Sequence, residues 1–127
     1  MKVYIDSDIL ISHLRGVQEA YNLIKRLRDK ERFSMWIGAM QRAEVVFFMK
    51  LEEEEKTRLL LNQFQTAPVD HSIVDMAATL YRQWGSSHGT NMNDAFLAAT
   101  AIQTNSKLFT MNPGRYPMPN LDVEKGW

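Results

Sequence analysis

The sequence predicts an α/β fold, a three-layer domain around a short parallel sheet. Three observations carry this. Short segments rich in β-branched and aromatic residues recur at Lys2–Ile5, Phe33–Ile37, Ala67–Val69 and Lys107–Thr110. Longer segments with apolar residues at spacings of three and four stand between them. Strands alternating with helices in this way form parallel βαβ units, whose crossovers cover both faces of the sheet.

Each element has its own justification. Val3, Tyr4 and Ile5 make the first strand, which runs into Asp6, Ser7 and Asp8. Ile9–Leu14 then reads as a helix, capped by Asp or Ser and stopped by Gly16. Val17–Lys30 is a second helix, with Tyr21, Ile24 and Leu27 as its apolar face and Lys25, Arg26 and Arg28 as a basic flank. After Phe33–Ile37, Gly38 breaks the strand and a helix follows over Ala39–Leu51. Glu52–Lys56 is a solvated charge run that suits a helix start, and Leu59, Leu60, Leu61 and Phe64 supply that helix's apolar side. In Ala67–Val69, Pro68 marks a strand start or an edge. Ser72–Trp84 carries a stripe through Ile73, Met76, Ala77, Leu80, Tyr81 and Trp84, with a loop at Gly85–Gly89. Asn93–Thr104 is a compact apolar helix leading to Lys107–Thr110. Asn112–Asn120, with three prolines and a glycine, is loop, and Leu121–Glu124 is a last short strand. Residues 1–127 read as a single domain without repeat or linker.

Composition narrows the function. Fifteen basic and fifteen acidic residues give a net charge of zero, so any contact with a polyanion must come from a local patch. With no cysteine, disulfides and thiolate metal sites are excluded, and a reducing cytoplasm fits. MKVYIDSD is no signal peptide, and no apolar run approaches a membrane span, so no membrane role is expected. Eight methionines serve as core filler or as an adaptable contact surface.

Polar residues stand where the pattern asks for apolar ones. Asp6 ends the first strand, Glu44 sits among Met40, Phe47 and Phe48, Asp94 heads the apolar run DAFLAATAI, and Asn112 follows KLFT. Each also has a plain structural explanation. Asp6 can cap a helix, Glu44 can pair with Arg42 or a distant basic residue, Asp94 can favour a helix dipole behind Asn91 or Asn93, and Asn112 can make a turn. Together they suggest a site, because one α/β sheet can bring such positions to its carboxyl edge. Clustered carboxylates do not all stay ionised without a cation. Oxygen donors of this kind suit Mg²⁺ or Mn²⁺. Zinc suits them less, since His13, His71 and His88 have no ligand spacing. No glycine-rich nucleotide loop or serine-hydrolase elbow is present.

These residues also carry a resemblance. YIDSDILISHLRG resembles the opening of PIN domains, in particular the VapC-type toxin ribonucleases. AMQRAEVVF resembles their second motif, with Glu44 in the place of its acid, and NDAFLAATAI is similar to the third, with Asp94. LFTMNPGRYP resembles the fourth, through Thr110, Asn112 and Tyr116, although an Asn stands at a position where Asp also occurs. The match runs from Met1 to about Val123 with the motifs in order. It implies a Rossmann-like sheet and metal-dependent hydrolysis of RNA, leaving 5′-phosphate and 3′-hydroxyl ends. Asp6, Glu44 and Asp94 would hold Mg²⁺ or Mn²⁺, with Asn112 orienting a ligand or water. Ser7 would donate a hydrogen bond or cap the helix, and Asp8 would add a carboxylate or cap it. Arg15, Arg42 and Arg115 are candidates for phosphate contact. The resemblance also implies a small antitoxin that offers a basic residue to the acids, and a homodimer through Val17–Lys30 or Ala39–Leu51. Two other readings are an RNA-processing nuclease outside a toxin pair and a binding module whose acids are structural.

Overall fold

Val3, Tyr4 and Ile5 are all fully buried. Side chains alternate along a strand, so burial of all three requires cover on both faces. The computed structural model, which describes all residues Met1–Trp127, supplies that cover. Strand β1 (Lys2–Ile5) lies at the centre of a five-stranded parallel sheet with β2 (Ser34–Gly38), β3 (Gln65–Ala67), β4 (Lys107–Thr110) and β5 (Asp122–Lys125), in the order β3-β2-β1-β4-β5. The helices are α1 (Ser7–Leu14), α2 (Gln18–Lys25, continued by a π-helical turn over Arg26–Lys30), α3 (Ala39–Val46), α4 (Glu54–Leu61), α5 (His71–His88) and α6 (Met92–Gln103). Val3, Ile5 and Phe109 pack with Leu10, Leu23, Ile24, Leu27 and Leu60 on one face. Tyr4 and Leu108 pack with Ala77, Leu80, Ala98 and Ala101 on the other. The expected three-layer arrangement is therefore present.

Several boundaries differ from expectation. Helix α3 stops at Val46 rather than Leu51. Phe47 and Phe48 are 79% and 84% exposed, so no core contact sustains another turn. The Glu53 carboxylate then accepts the Lys50 N–H at 2.8 Å and starts a 3₁₀ turn over Leu51–Glu53. Strand β3 lies two residues earlier than Ala67–Val69. Pro68 has no N–H to continue the ladder, and so follows the strand instead of opening it. Helix α5 runs through Gly85 to His88, where a loop is expected, and ends at Gly89 with φ +69°. That left-handed residue is the ordinary helix stop, and glycine reaches it without strain. In α2 the buried face is Ala20, Leu23, Ile24 and Leu27, while Tyr21 is exposed. That face is spent on the core and is not open to a second copy.

The topology also positions a crevice. From β1 the chain moves outward through β2 and β3, then returns to the other side of β1 for β4 and β5. Strand order reverses between β1 and β4, and in open parallel sheets ligands bind outside the carboxyl ends of the strands at such a point. Ile5 pairs with Phe109, and the Asp6 N–H donates to the Phe109 carbonyl at 3.0 Å. Asp6 and Thr110 thus leave the sheet side by side.

The start of α6 is fixed by a neighbouring contact. Gln41, buried on α3, donates from Nε2 to the Asn93 carbonyl at 3.0 Å. A Cβ at Gly38 would collide with Gln41 Oε1 and sit 3.4 Å from Leu97 Cδ1. Gly38→Ala is expected to lower stability by about 1–3 kcal/mol through overpacking. A urea melt with an unchanged midpoint would refute this.

Candidate functional site

At the crevice, Asp6 and Asp94 are 6% and 5% exposed. Asp6 is the N-cap of α1, and its Oδ1 accepts the Ser7 N–H at 2.8 Å. Its Oδ2 accepts from Thr110 Oγ1 at 2.9 Å and from the Tyr116 hydroxyl at 2.7 Å. The capping and site readings of Asp6 therefore coexist on different oxygens. Asp94 is held by a capping box with Asn91. The Asn91 N–H donates to Asp94 Oδ2 at 3.0 Å, and the Asp94 N–H donates to Asn91 Oδ1 at 2.8 Å. Asp94 Oδ1 lies 3.1 Å from the same Tyr116 hydroxyl. One phenol proton thus faces two carboxylates. Tyr116, 3% exposed, ties the first acid to the third across 110 and 22 residues of sequence.

Glu44 joins through Ser7, whose Oγ donates to Glu44 Oε1 at 3.3 Å. The expected arginine partner is absent, because Arg42 instead donates to Thr66 Oγ1 at 3.2 Å. Asp8, in the first turn of α1, accepts from the turn after β4 rather than from its own helix. Asn112 Nδ2 reaches Asp8 Oδ2 at 2.9 Å and the Met111 N–H reaches it at 3.0 Å. Asn112 therefore contacts Asp8 and not the other acids. Arg115, in a 3₁₀ turn over Pro113–Arg115, is exposed and acts on Asp94 only through its charge. Arg15, at the end of α1, lines a cavity of about 310 Å³ with Glu44, Val45, Phe48 and Thr57. The three histidines take no part in the cluster.

The electrostatics follow from burial without counter-charge. None of Asp6, Asp8, Glu44 and Asp94 forms an ion pair. Burial, followed by the charge of Asp8, raises the Asp6 carboxyl to about 6, against the hydrogen bonds from Tyr116, Thr110 and Ser7. Burial also raises Glu44, opposed by Ser7 and reinforced by the charges of Asp94 and Asp8. Asp94 is raised by burial and by Asp8, while the Asn91 N–H, Tyr116 and Arg115 pull it down. Tyr116 is pushed well above the ordinary phenol range by burial and by its two carboxylates.

The donor set suits a hard divalent cation: four carboxylates, none of them in an ion pair, with no thiolate and no nearby imidazole. Asp8 Oδ1 is buried with no hydrogen-bond partner, which is costly for an anionic oxygen. The side chains do not yet converge as ligands, and no three acidic or histidine groups stand around a common point. The Tyr116 hydroxyl between Asp6 and Asp94 accounts for this in part. The sequence marks Tyr116 only as an aromatic position; its polar role arises because the fold brings Asp6 and Asp94 to its hydroxyl.

The chain is similar to known proteins in sequence and in fold. The family model described as PIN domain matches residues 3–116. The chain is 31% identical over 117 residues to Ribonuclease VapC10 of Mycobacterium tuberculosis, covering 91% of this chain and 86% of that one. Among solved structures, a toxin-antitoxin complex from Klebsiella pneumoniae superposes with a TM-score of 0.79 at 22% identity, over 99% of this chain and 98% of that one. VapBC2 from Rickettsia felis, bound to a DNA fragment from its promoter, gives 0.78 at 22% identity, over 100% and 99%. These two similarities support the same fold.

Proposed function

The chain belongs to the PIN domain family, and from that premise we propose that it is a metal-dependent endoribonuclease, the toxin of a toxin-antitoxin pair. The observation that carries the reading is the group of four unpaired carboxylates at the β1–β4 crevice, three of them held above their ordinary pKa. The relative named Ribonuclease VapC10 supports the RNA substrate.

Asp6, Glu44 and Asp94 would hold Mg²⁺ or Mn²⁺. A cation of this kind supplies a water of lowered pKa and neutralises charge on the scissile phosphate. Thr110 and Tyr116 hold Asp6, and Ser7 holds Glu44, so a cation would have to draw these carboxylates together from the positions they occupy. Arg115 beside Asp94 and Arg15 beside Glu44 are the basic side chains placed to meet a phosphate. With net charge zero, such local contacts must supply the grip on RNA.

The antitoxin half of the proposal rests on the surface next to Glu44. The cavity there is bordered by Leu14, Val45, Met49 and the largely exposed Phe48. An exposed aromatic at an apolar cavity mouth suits an apolar protein segment. A small partner seated there would bring a basic side chain within reach of the acids. The proposal also places the chain in the cytoplasm, as a homodimer, following the family resemblance.

The test is to incubate the full chain with cellular RNA and Mg²⁺ or Mn²⁺ and to sequence new 5′-phosphate ends. Discrete ends that vanish under chelator are expected. Ends that persist under chelator, or no ends with either cation, overturn the proposal.

A further inference from the structure

Asp8 is the one carboxylate whose charge acts on all three other acids, Asp6, Glu44 and Asp94. It does not cap its own helix, because Asp6 is the N-cap. Its Oδ2 instead collects Thr110 Oγ1 at 3.3 Å, the Met111 N–H at 3.0 Å and Asn112 Nδ2 at 2.9 Å. All three groups lie more than a hundred residues along the chain, at the end of β4 and in the turn that follows it, and the Thr110 hydroxyl, whose one proton lies nearer Asp6, is the weakest of them. Its Oδ1 is buried and unpartnered. The amide of Asn112 meets an oxygen that can only accept, so the nitrogen must face Asp8. Residue 112 therefore brings no charge to the crevice, and residue 8 does.

We infer that Asp8 and Asn112 form a single-charge unit, in which Asp8 is the fourth carboxylate of the candidate metal site and Asn112 is its obligatory amide partner. This rests on the metal-site reading above. The physical constraint is exclusive. Two acids at these positions would set carboxylate oxygens in close contact, and one would have to protonate or turn away. Two amides would leave the unit without charge. The order is also fixed, because the Met111 N–H and Asn112 Nδ2 meet the same Asp8 oxygen: an amide at 8 would put there either an oxygen, which an acid at 112 repels, or a nitrogen, which the Met111 N–H repels.

The test is a Mn²⁺ titration of the metal-free full chain by calorimetry, with a thermal melt of each variant. Asp8→Asn is expected to weaken Mn²⁺ binding roughly tenfold or more. Asn112→Asp is expected to lower the melting temperature of the metal-free chain. The double variant, Asp8→Asn with Asn112→Asp, is expected to bind as weakly as Asp8→Asn, since the swapped pair cannot remake both bonds. A double variant that folds and binds as tightly as the wild type overturns the inference alone. A wild type that takes up no Mn²⁺ overturns the metal site and the inference together. If the double variant does not melt cooperatively, Asp8→Asn decides by itself, since unchanged affinity overturns the inference.

Discussion

Asp94→Asn is expected to cut RNA cleavage by roughly a hundredfold or more, and to raise the melting temperature of the metal-free chain. The two effects have one origin. Tyr116 has a single proton and two carboxylate acceptors, Asp6 at 2.7 Å and Asp94 at 3.1 Å. An amide at 94 removes one negative charge, can donate to the phenol oxygen, and frees the phenol proton for Asp6. It also keeps a carbonyl oxygen for the Asn91 N–H, so the capping box survives. Relief of this conflict is worth about 1 kcal/mol, or roughly 4 °C for a domain of this size. The same substitution removes a charge that a divalent cation needs. Cleavage assays and calorimetric melts in EDTA check both halves. Full cleavage by the variant would mean that the acids are structural. A lowered melting temperature would mean that the carboxylate contributes more as a cap than it costs as a charge.

In EDTA the metal-free chain is expected to lose stability as pH rises from about 4 to about 6, a window set by Asp6. Its carboxyl stands at about 6 in the fold against an ordinary 3.8. Below the ordinary value both folded and unfolded chains are protonated, and no penalty exists. Between the two values the fold keeps a proton that the unfolded chain has released, so stability falls as pH rises. Above the folded value both are ionised and the full cost is present, about 3 kcal/mol at 1.36 kcal/mol per unit. Glu44 and Asp94 are shifted in the same direction and add to the slope. Saturating Mn²⁺ keeps the carboxylates ionised and should flatten it, while Mn²⁺ affinity should increase across the same window. Paired melts with EDTA and Mn²⁺ isolate the site, because groups remote from it contribute equally to both. A difference between the two curves that does not vary with pH would refute the linkage.

Much of this molecule was legible before its structure. The buried β1, the alternation of strands and helices, and the apolar α6 follow from local pattern and from two periodicities. The misplaced boundaries have separate causes: α3 depends on contacts that a local pattern does not contain, while β3 and α5 are set by Pro68 and Gly89. Phe47 and Phe48 look like core residues in sequence but find no core, so α3 ends early. Gly85 looks like a stop, yet α5 passes through it to Gly89. At the site, Asp6, Glu44 and Asp94 stood out as acids in apolar surroundings. What could not be read was their pairing. Glu44 meets Ser7 rather than an arginine, Asp8 meets Asn112, and Tyr116 spans Asp6 and Asp94. These pairs depend on the β1–β4 register, which brings together segments about a hundred residues apart.

That register has a consequence for the order in which the molecule comes into being. The outward run from β1 through β2 and β3 can pair while later residues are still being added, because each partner follows its neighbour in sequence. The other side of β1 has no partner until β4 has been synthesised. Asp6 meets Thr110 and Tyr116 only then. A growing chain therefore carries the first two acids through most of its synthesis without a finished centre. On the proposed function, the nascent protein stays harmless to the message that encodes it, and activity begins when the fourth strand closes onto the first.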